Sequence, residues 1–444
     1  MKEEKLTTQE EIRKEDKELR DEIEKRHGKS VEELYTEREK RINDAVQGKV
    51  PDRVPVVFGG TYFAMKYVGL PYSTAYYDPV AWKQGYKRMM AELEPDSYGS
   101  AASMQSGNAL ETLETSNYRW PGFNLPENVA SQTTEEEYMK ADEYDLFLAD
   151  PSDYILRVWL PRVYGILEPL GSLPPLMNLG TGLTMLASLF TSPGFQRLAE
   201  IMKKAGEEQK KHLDALGDFN GEMKALGLPV DFQWMGGVMP PFSGFTNNFR
   251  TWKGIATDMF RQPDKLLAAL EKLLDYRIFR ATPPVRQEGK PTIGASSEPH
   301  RVSDEFMSRP QFEKFVWPNW QKAVQKTFDL GYDVISMFFE GRRDNQLDYF
   351  MDYPKHSIMI RFAETDIFRA KKLFGDRVSF MGNVPITMLQ LGSTQDVEEY
   401  CKKLIREVGK DGGFILRCST DYTQEAKPEN VKAMIDTAKK YGKY

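Results

Sequence analysis

From residue 292 onward the chain alternates short apolar runs with amphipathic stretches, and this rhythm constrains the fold more than any other feature. The runs are Thr292–Ser296, Asp333–Phe339, Ser357–Phe362, Val378–Met381 and Phe414–Arg417. Helical periodicity places Arg309–Leu330, Ile367–Leu373 and Gln395–Val408 between them, and Pro428–Tyr441 after the last. Strands followed by helices at this spacing build right-handed βαβ units around a parallel sheet. The run Asp333–Phe339 shows what kind of strand is meant. Val334, Ile335, Met337, Phe338 and Phe339 leave almost no polar face, as a parallel strand covered on both sides requires.

The same pattern reaches upstream. Val54–Phe58 reads as a first strand ended by Gly59-Gly60, and Pro175–Leu179 and Pro229–Met235 as further ones. Phe195–Leu216 is an amphipathic helix. Another begins at Gln262-Pro263-Asp264, with proline early and an acid in the first turn. No glycine-rich dinucleotide fingerprint follows the first strand. A closed (β/α)8 TIM barrel therefore beats a doubly wound sheet, and the fold class is α/β. The barrel is expected over 48–444, with tyrosine-, proline- and glycine-rich lid-like insertions at about 60–170. Residues 1–47 form a charged extension. Its thin apolar stripe (Leu19, Ile23, Val31, Leu34, Ile42) suits one or two helices clamped on the body or on a second subunit, as in a homodimer. A disordered tail is the alternative.

Composition removes several functions. A net charge of −6 and a pI near 5.6 argue against nucleic-acid binding. Cys401 and Cys418, the only cysteines, cannot make a disulfide framework, which points to a reducing compartment. The N-terminus is too charged for a signal peptide and no apolar run approaches membrane-spanning length, so a cytoplasmic protein with no membrane partner is expected.

Chemistry is expected where parallel strands point their carboxyl ends. The residues just past the runs are Glu298 and His300, Glu340, Glu364 and Asp366, Asn383, and Cys418. Glu340 is central, because it follows a buried strand directly and has Gly341 behind it. Carboxylates, a histidine and a cysteine are zinc donors, here without a CxxC or HExxH; a wet pocket with no metal is the equal alternative. His300 is the one histidine placed as a ligand. His27 and His212 read as solvated, and His356 lies at the wrong end of its strand. Cys401 reads as packing, and Cys418 as either an inert buried thiol or a metal-held thiolate. Asp366 is better placed to cap the following helix than to do chemistry. Arg342-Arg343 either receives an anionic group of the substrate or neutralises neighbouring acids.

Several of these segments resemble the uroporphyrinogen decarboxylase superfamily. GKVPDRVPVVF is similar to its entry strand, FGDRV with MGNVP (Met381 to Pro385) to its Gly-Asn turn, and KPENVKAMIDTAKKYGKY to its terminal helix. The resemblance runs from about Gly48 to the C-terminus and implies a (β/α)8 barrel. The family's decarboxylases carry an Arg-Gln-Ala-Gly-Arg loop after the first strand; here Phe58-Gly59-Gly60-Thr61-Tyr62-Phe63 holds no arginine, so porphyrinogen decarboxylation is rejected. The cobamide-dependent methyltransferase branch places a His-x-Cys after the strand matching 333–339 and a cysteine after the last strand. Here Phe338-Phe339-Glu340 replaces the first, and only Cys418 matches. The resemblance thus implies zinc held by Glu340, Cys418 and His300. It also implies a cobalamin or other corrinoid supplied by a partner protein, and a small methyl donor, with a methoxylated compound favoured. Glu340, Asp366 and Asn383 are the catalytic candidates; Arg342, Arg343, Glu298 and Trp234 are the substrate-binding ones. A decarboxylase-like lyase on a small acidic substrate, and a non-catalytic corrinoid- or tetrapyrrole-binding barrel, are the alternatives.

Overall fold

Five parallel strands in chain order form the half of the molecule on which the sequence rhythm is clearest. They are β5 (Ile293–Ala295), β6 (Val334–Phe339), β7 (Ile358–Phe362), β8 (Ser379–Met381) and β9 (Phe414–Ile415). The computed structural model describes residues 9–99, 105–175, 177–178, 182–231, 236–421 and 423–444. Earlier in the chain β1 (Val57–Phe58) pairs in parallel with β2 (Ser97–Tyr98), and an antiparallel hairpin joins β3 (Tyr118–Arg119) to β4 (Gln132–Thr133).

Backbone bonds close the two parallel groups into a ring. On one side Val56 pairs in parallel with Leu416; Val57 N–H donates to the Leu416 carbonyl at 2.9 Å and Leu416 N–H to Pro55 at 2.8 Å. On the other, Tyr98 pairs in parallel with Val230, and Ala295 N–H donates to the Gly236 carbonyl at 2.8 Å. With residues 229–231 as the remaining strand, the ring is a (β/α)8 barrel.

Differences from the sequence reading have local causes. The second barrel strand is Ser97–Tyr98, too short and polar to show a period. No strand is present at the described residues of Pro175–Leu179. Hence the 60–170 range contains β2 and the barrel helix Pro79–Leu93, and the large insertion follows β2, spanning residues 105–228 and including the helix Pro193–Leu216. The expected helix Arg309–Leu330 is two, Arg309–Phe315 and Trp317–Asp329, broken where Pro318 supplies no N–H to a continuing ladder.

The N-terminal extension forms helices α1 (Gln9–His27) and α2 (Val31–Val46). Ser30 opens α2 with a reciprocal cap: its hydroxyl accepts from Glu33 N–H at 3.2 Å, and the Glu33 carboxylate accepts from Ser30 N–H at 2.9 Å. The other end of α2 plugs the barrel. Ile42, Ala45 and Val46 form one buried cluster with Val57, Ile293, Val334, Met359, Met381 and Ile415, and the Val46 carbonyl accepts from Ser379 Oγ at 3.0 Å at the amino end of β8. Ion pairs fasten the plug. Arg41 and Arg53 each reach the buried Asp96 at 2.6 Å. Glu94 takes Arg26 and His27 at 3.0 Å. His27 stays exposed while anchoring on Glu94, and His212, also read as solvated, is buried in the helix Pro193–Leu216. Among the described residues no helix is long and apolar enough to cross a membrane.

Candidate active site

Strand register carries charge to the carboxyl end of the barrel. Successive residues of a strand face opposite sides. Met359 and Ile415 belong to the layer that seals against α2, so Arg361 and Arg417, two residues further on, stand on the same inner face one layer higher. Both guanidiniums are buried, at 1% and 2% exposure. Arg417 pairs with Asp231, itself buried on the strand 229–231 three places round the ring, and with Asp421 at 2.5 Å. Asp421 also takes Arg361 at 2.7 Å, so its two oxygens bridge the two arginines. The Arg361 guanidinium lies 4.6 Å from the centre of the Phe338 ring. Desolvation opposes the charge of Asp421, but Arg417 and Arg361 outweigh it and hold the carboxyl well below the usual carboxylate range. Two glycines make the close approach feasible: a Cβ on Gly99 would lie 3.1 Å from Arg417 Nη2, and one on Gly59 would strike the Gly99 backbone.

A second group stands at the rim. Glu340, directly past β6, hydrogen-bonds to His300 Nδ1, and both side chains are nearly half exposed. This is the pair of sequence-derived candidates that the fold brings together. Cys418 is not part of it. That thiol is buried beside Arg361 and Arg417, its S–H donates to the Thr420 carbonyl at 3.0 Å, and burial pushes its pKa up. Among the described residues no three histidine, cysteine, aspartate or glutamate side chains are grouped to hold a metal ion. A zinc site built from Glu340, His300 and Cys418 does not fit this arrangement.

Other candidates support the site without facing it. Glu298 is buried and accepts the N–H groups of Phe242 and Ser243 at 2.7 and 2.6 Å, anchoring a neighbouring loop; burial pushes its pKa up. Arg343 is buried too. It donates to the Glu298 carbonyl, to Pro299 at 3.2 Å and to Glu340 at 3.3 Å, and its guanidinium lies over Trp320 and Phe339. It ties two strand-end loops together. Arg342 is 64% exposed, with loose pairs to Asp344 and Glu305 at 3.8 and 3.9 Å. Asn383 braces backbone, donating to Thr365 at 3.2 Å and accepting from Tyr400 at 3.1 Å. Asp366 caps the helix Ile367–Phe374, accepting from Phe368 N–H at 2.9 Å. Trp234 lies outside the described residues.

The tyrosines of the 60–170 range are mostly packed away. Tyr62, Tyr72 and Tyr76 are buried, and hydroxyl contacts of 2.8 and 2.6 Å link Tyr62 to Tyr76 and Tyr76 to Tyr118. A cavity of 1030 Å³ lies to the side, between Glu135, Trp252 and Arg261, and Arg301 next to His300 reaches Glu135 at 3.3 Å. The arginine–aspartate group was missed by sequence reasoning, yet it left a signal: one arginine inside each of the apolar runs Ile358–Phe362 and Phe414–Arg417.

A parallel barrel with charged groups buried at its carboxyl end defines the class. Residues 227–441 match the uroporphyrinogen decarboxylase (URO-D) family. Among solved structures, a methyltransferase from Methanosarcina mazei is similar with a TM-score of 0.53 and 16% identity, covering 91% of this chain and 98% of that one. At that identity the likeness is one of fold. No curated protein matches.

Proposed function

We propose that this protein is a methyltransferase that moves a methyl group from a methoxylated compound to a corrinoid carried by a partner protein. The whole-length likeness to the Methanosarcina mazei methyltransferase supports the reading, and the site chemistry is compatible with it. Breaking a methyl ether leaves an alkoxide or phenoxide, and its developing charge must be stabilised or protonated. Arg361 and Arg417, buried inside the barrel mouth, suit an acidic group of the donor away from the ether oxygen. In this reading Glu340, hydrogen-bonded to His300 at the accessible rim, hands the leaving oxygen a proton. The corrinoid cobalt, when presented by the partner, supplies the nucleophile. The glycines at the end of β1 also favour this reading over porphyrinogen chemistry, because no arginine-rich loop stands there.

The experiment is a screen of methoxylated donors with the purified protein and free cob(I)alamin, followed by absorbance. Enzyme-dependent consumption of cob(I)alamin with at least one donor is expected. A second reading, a lyase acting on a small acidic substrate, draws on the family match and on the paired guanidiniums, which suit a carboxylate. Release of carbon dioxide from such an acid, with cob(I)alamin untouched by every donor, would replace the first reading by the second.

A further inference from the structure

We propose that the Asp421 carboxylate is an internal stand-in for a substrate carboxylate, which docks between Arg361 and Arg417 by displacing it. The inference deepens the methyltransferase reading and rests on it for the identity of the site: the methyl donor is an acid, with its carboxylate seated at the floor of the mouth and its methoxy group toward the rim.

Four observations carry it. First, Asp421 presents one oxygen to each guanidinium, at 2.5 Å to Arg417 and 2.7 Å to Arg361, a geometry that selects a planar two-oxygen anion. Second, the partners differ in access. The guanidiniums are 1% and 2% exposed, whereas Asp421 is 50% exposed on the loop past β9, so it reaches them from the solvent side. Third, Asp231 cannot exchange in the same way, because it is 2% exposed on the inner side of Arg417. With Asp421 in place the two arginines face two aspartates; with Asp421 withdrawn one positive charge is left in a buried setting, and an incoming anion is needed to neutralise it. Fourth, Arg417 Nε is buried without a hydrogen-bond acceptor among the described residues. Gly99 carries no side chain beside this guanidinium, where a Cβ would crowd Arg417 Nη2 at 3.1 Å.

Displacement is a competition between an attached carboxylate and a free one, and an attached competitor lowers the apparent affinity for the free one by the fraction of time it is away. Removing it must therefore tighten binding. The test uses the intact chain with benzoate, 4-methoxybenzoate and uncharged benzamide, measured by calorimetry and thermal shift. Asp421→Ala is expected to bind benzoate about tenfold more tightly than the native protein. Its melting temperature should be low without anion and restored by millimolar formate or benzoate. Benzamide should bind neither form, and Arg361→Gln should abolish benzoate binding. Folded Asp421→Ala that binds benzoate no more tightly than the native protein overturns the proposal. If the alanine variant does not fold, the isosteric Asp421→Asn, which keeps one acceptor oxygen, must show the same direction of change. Failure of this idea is separable from failure of the methyltransferase reading. Benzoate binding needs no cob(I)alamin, so tighter binding without methyl transfer sinks only the activity. Transfer from neutral methoxyarenes with no carboxylate binding sinks only the stand-in.

Discussion

Arg417 and Glu340 are the two residues whose surroundings make the sharpest demands. Arg417 is buried against Asp231, so removing it strands a carboxylate away from water. Arg417→Met is expected to cost about 3–5 kcal/mol in chemical denaturation, the usual penalty for breaking a buried ion pair from one side. Glu340 stands at the other extreme, nearly half exposed with His300. Glu340→Gln should leave stability within about 1 kcal/mol of the native protein, as exposed pairs do. Methyl transfer should still fall about 100-fold, the loss expected for a positioned acid. Native turnover in that variant would remove Glu340 from the chemistry. Position in sequence alone had made Arg342 and Arg343 look equivalent. Burial separates them, since Arg343 is wholly enclosed and Arg342 points to water.

Among the elements, the helix Ile367–Phe374 and the plug α2 test how much local structure serves stability alone. Asp366 accepts from Phe368 and Arg369 N–H at 2.9 and 3.1 Å. Asp366→Ala should therefore cost about 1 kcal/mol, as lost caps do, with turnover of the folded variant unchanged. A fall in turnover at equal folding would return this residue to the catalytic group. Below the barrel, burial alone would raise the pKa of Asp96, but Arg53 and Arg41 overcome it and hold the carboxyl at about 2, against an ordinary value of 3.8. Because the folded pKa is depressed, the stabilisation is fully present above the unfolded value and is lost as pH falls through the folded one. Denaturation curves should thus lose about 2 kcal/mol between roughly pH 4 and pH 2 from this group. Asp96→Asn, already deprived of the charge, should show a shallower acid limb over the same window.

For the whole molecule, closure of the barrel makes the N-terminal extension part of the fold. Ile42, Ala45 and Val46 form one buried layer with residues of six barrel strands. A chain begun at residue 48 should expose that apolar layer and the charges of Asp96 and Glu94. It is expected to be aggregated or to lose its cooperative thermal transition, measured by light scattering and circular dichroism. A soluble truncated chain with the native melting temperature would show the extension to be an ornament. The insertion between β2 and residue 229 lies on the opposite, carboxyl side in the chain's course, after the end of a strand, where barrel enzymes place the loops that shape substrate access.

The sequence by itself determined the elements whose information is local. Helix and strand periods, proline and acid at helix starts, and apolar runs too complete for a one-sided strand were enough for the parallel barrel, and the place of Glu340 directly past a buried strand was legible from the same pattern. What only the tertiary structure decided depends on contacts between residues far apart in the chain. The strand Ser97–Tyr98 has no period to read and exists because its neighbours on both sides offer backbone partners. The Arg417–Asp231 pair joins residues 186 positions apart, and Arg361 meets Asp421 across 60. An arginine in an apolar run announces that it needs a partner, since a buried charge is unstable alone. Which carboxylate answers it is fixed by strand register and barrel closure.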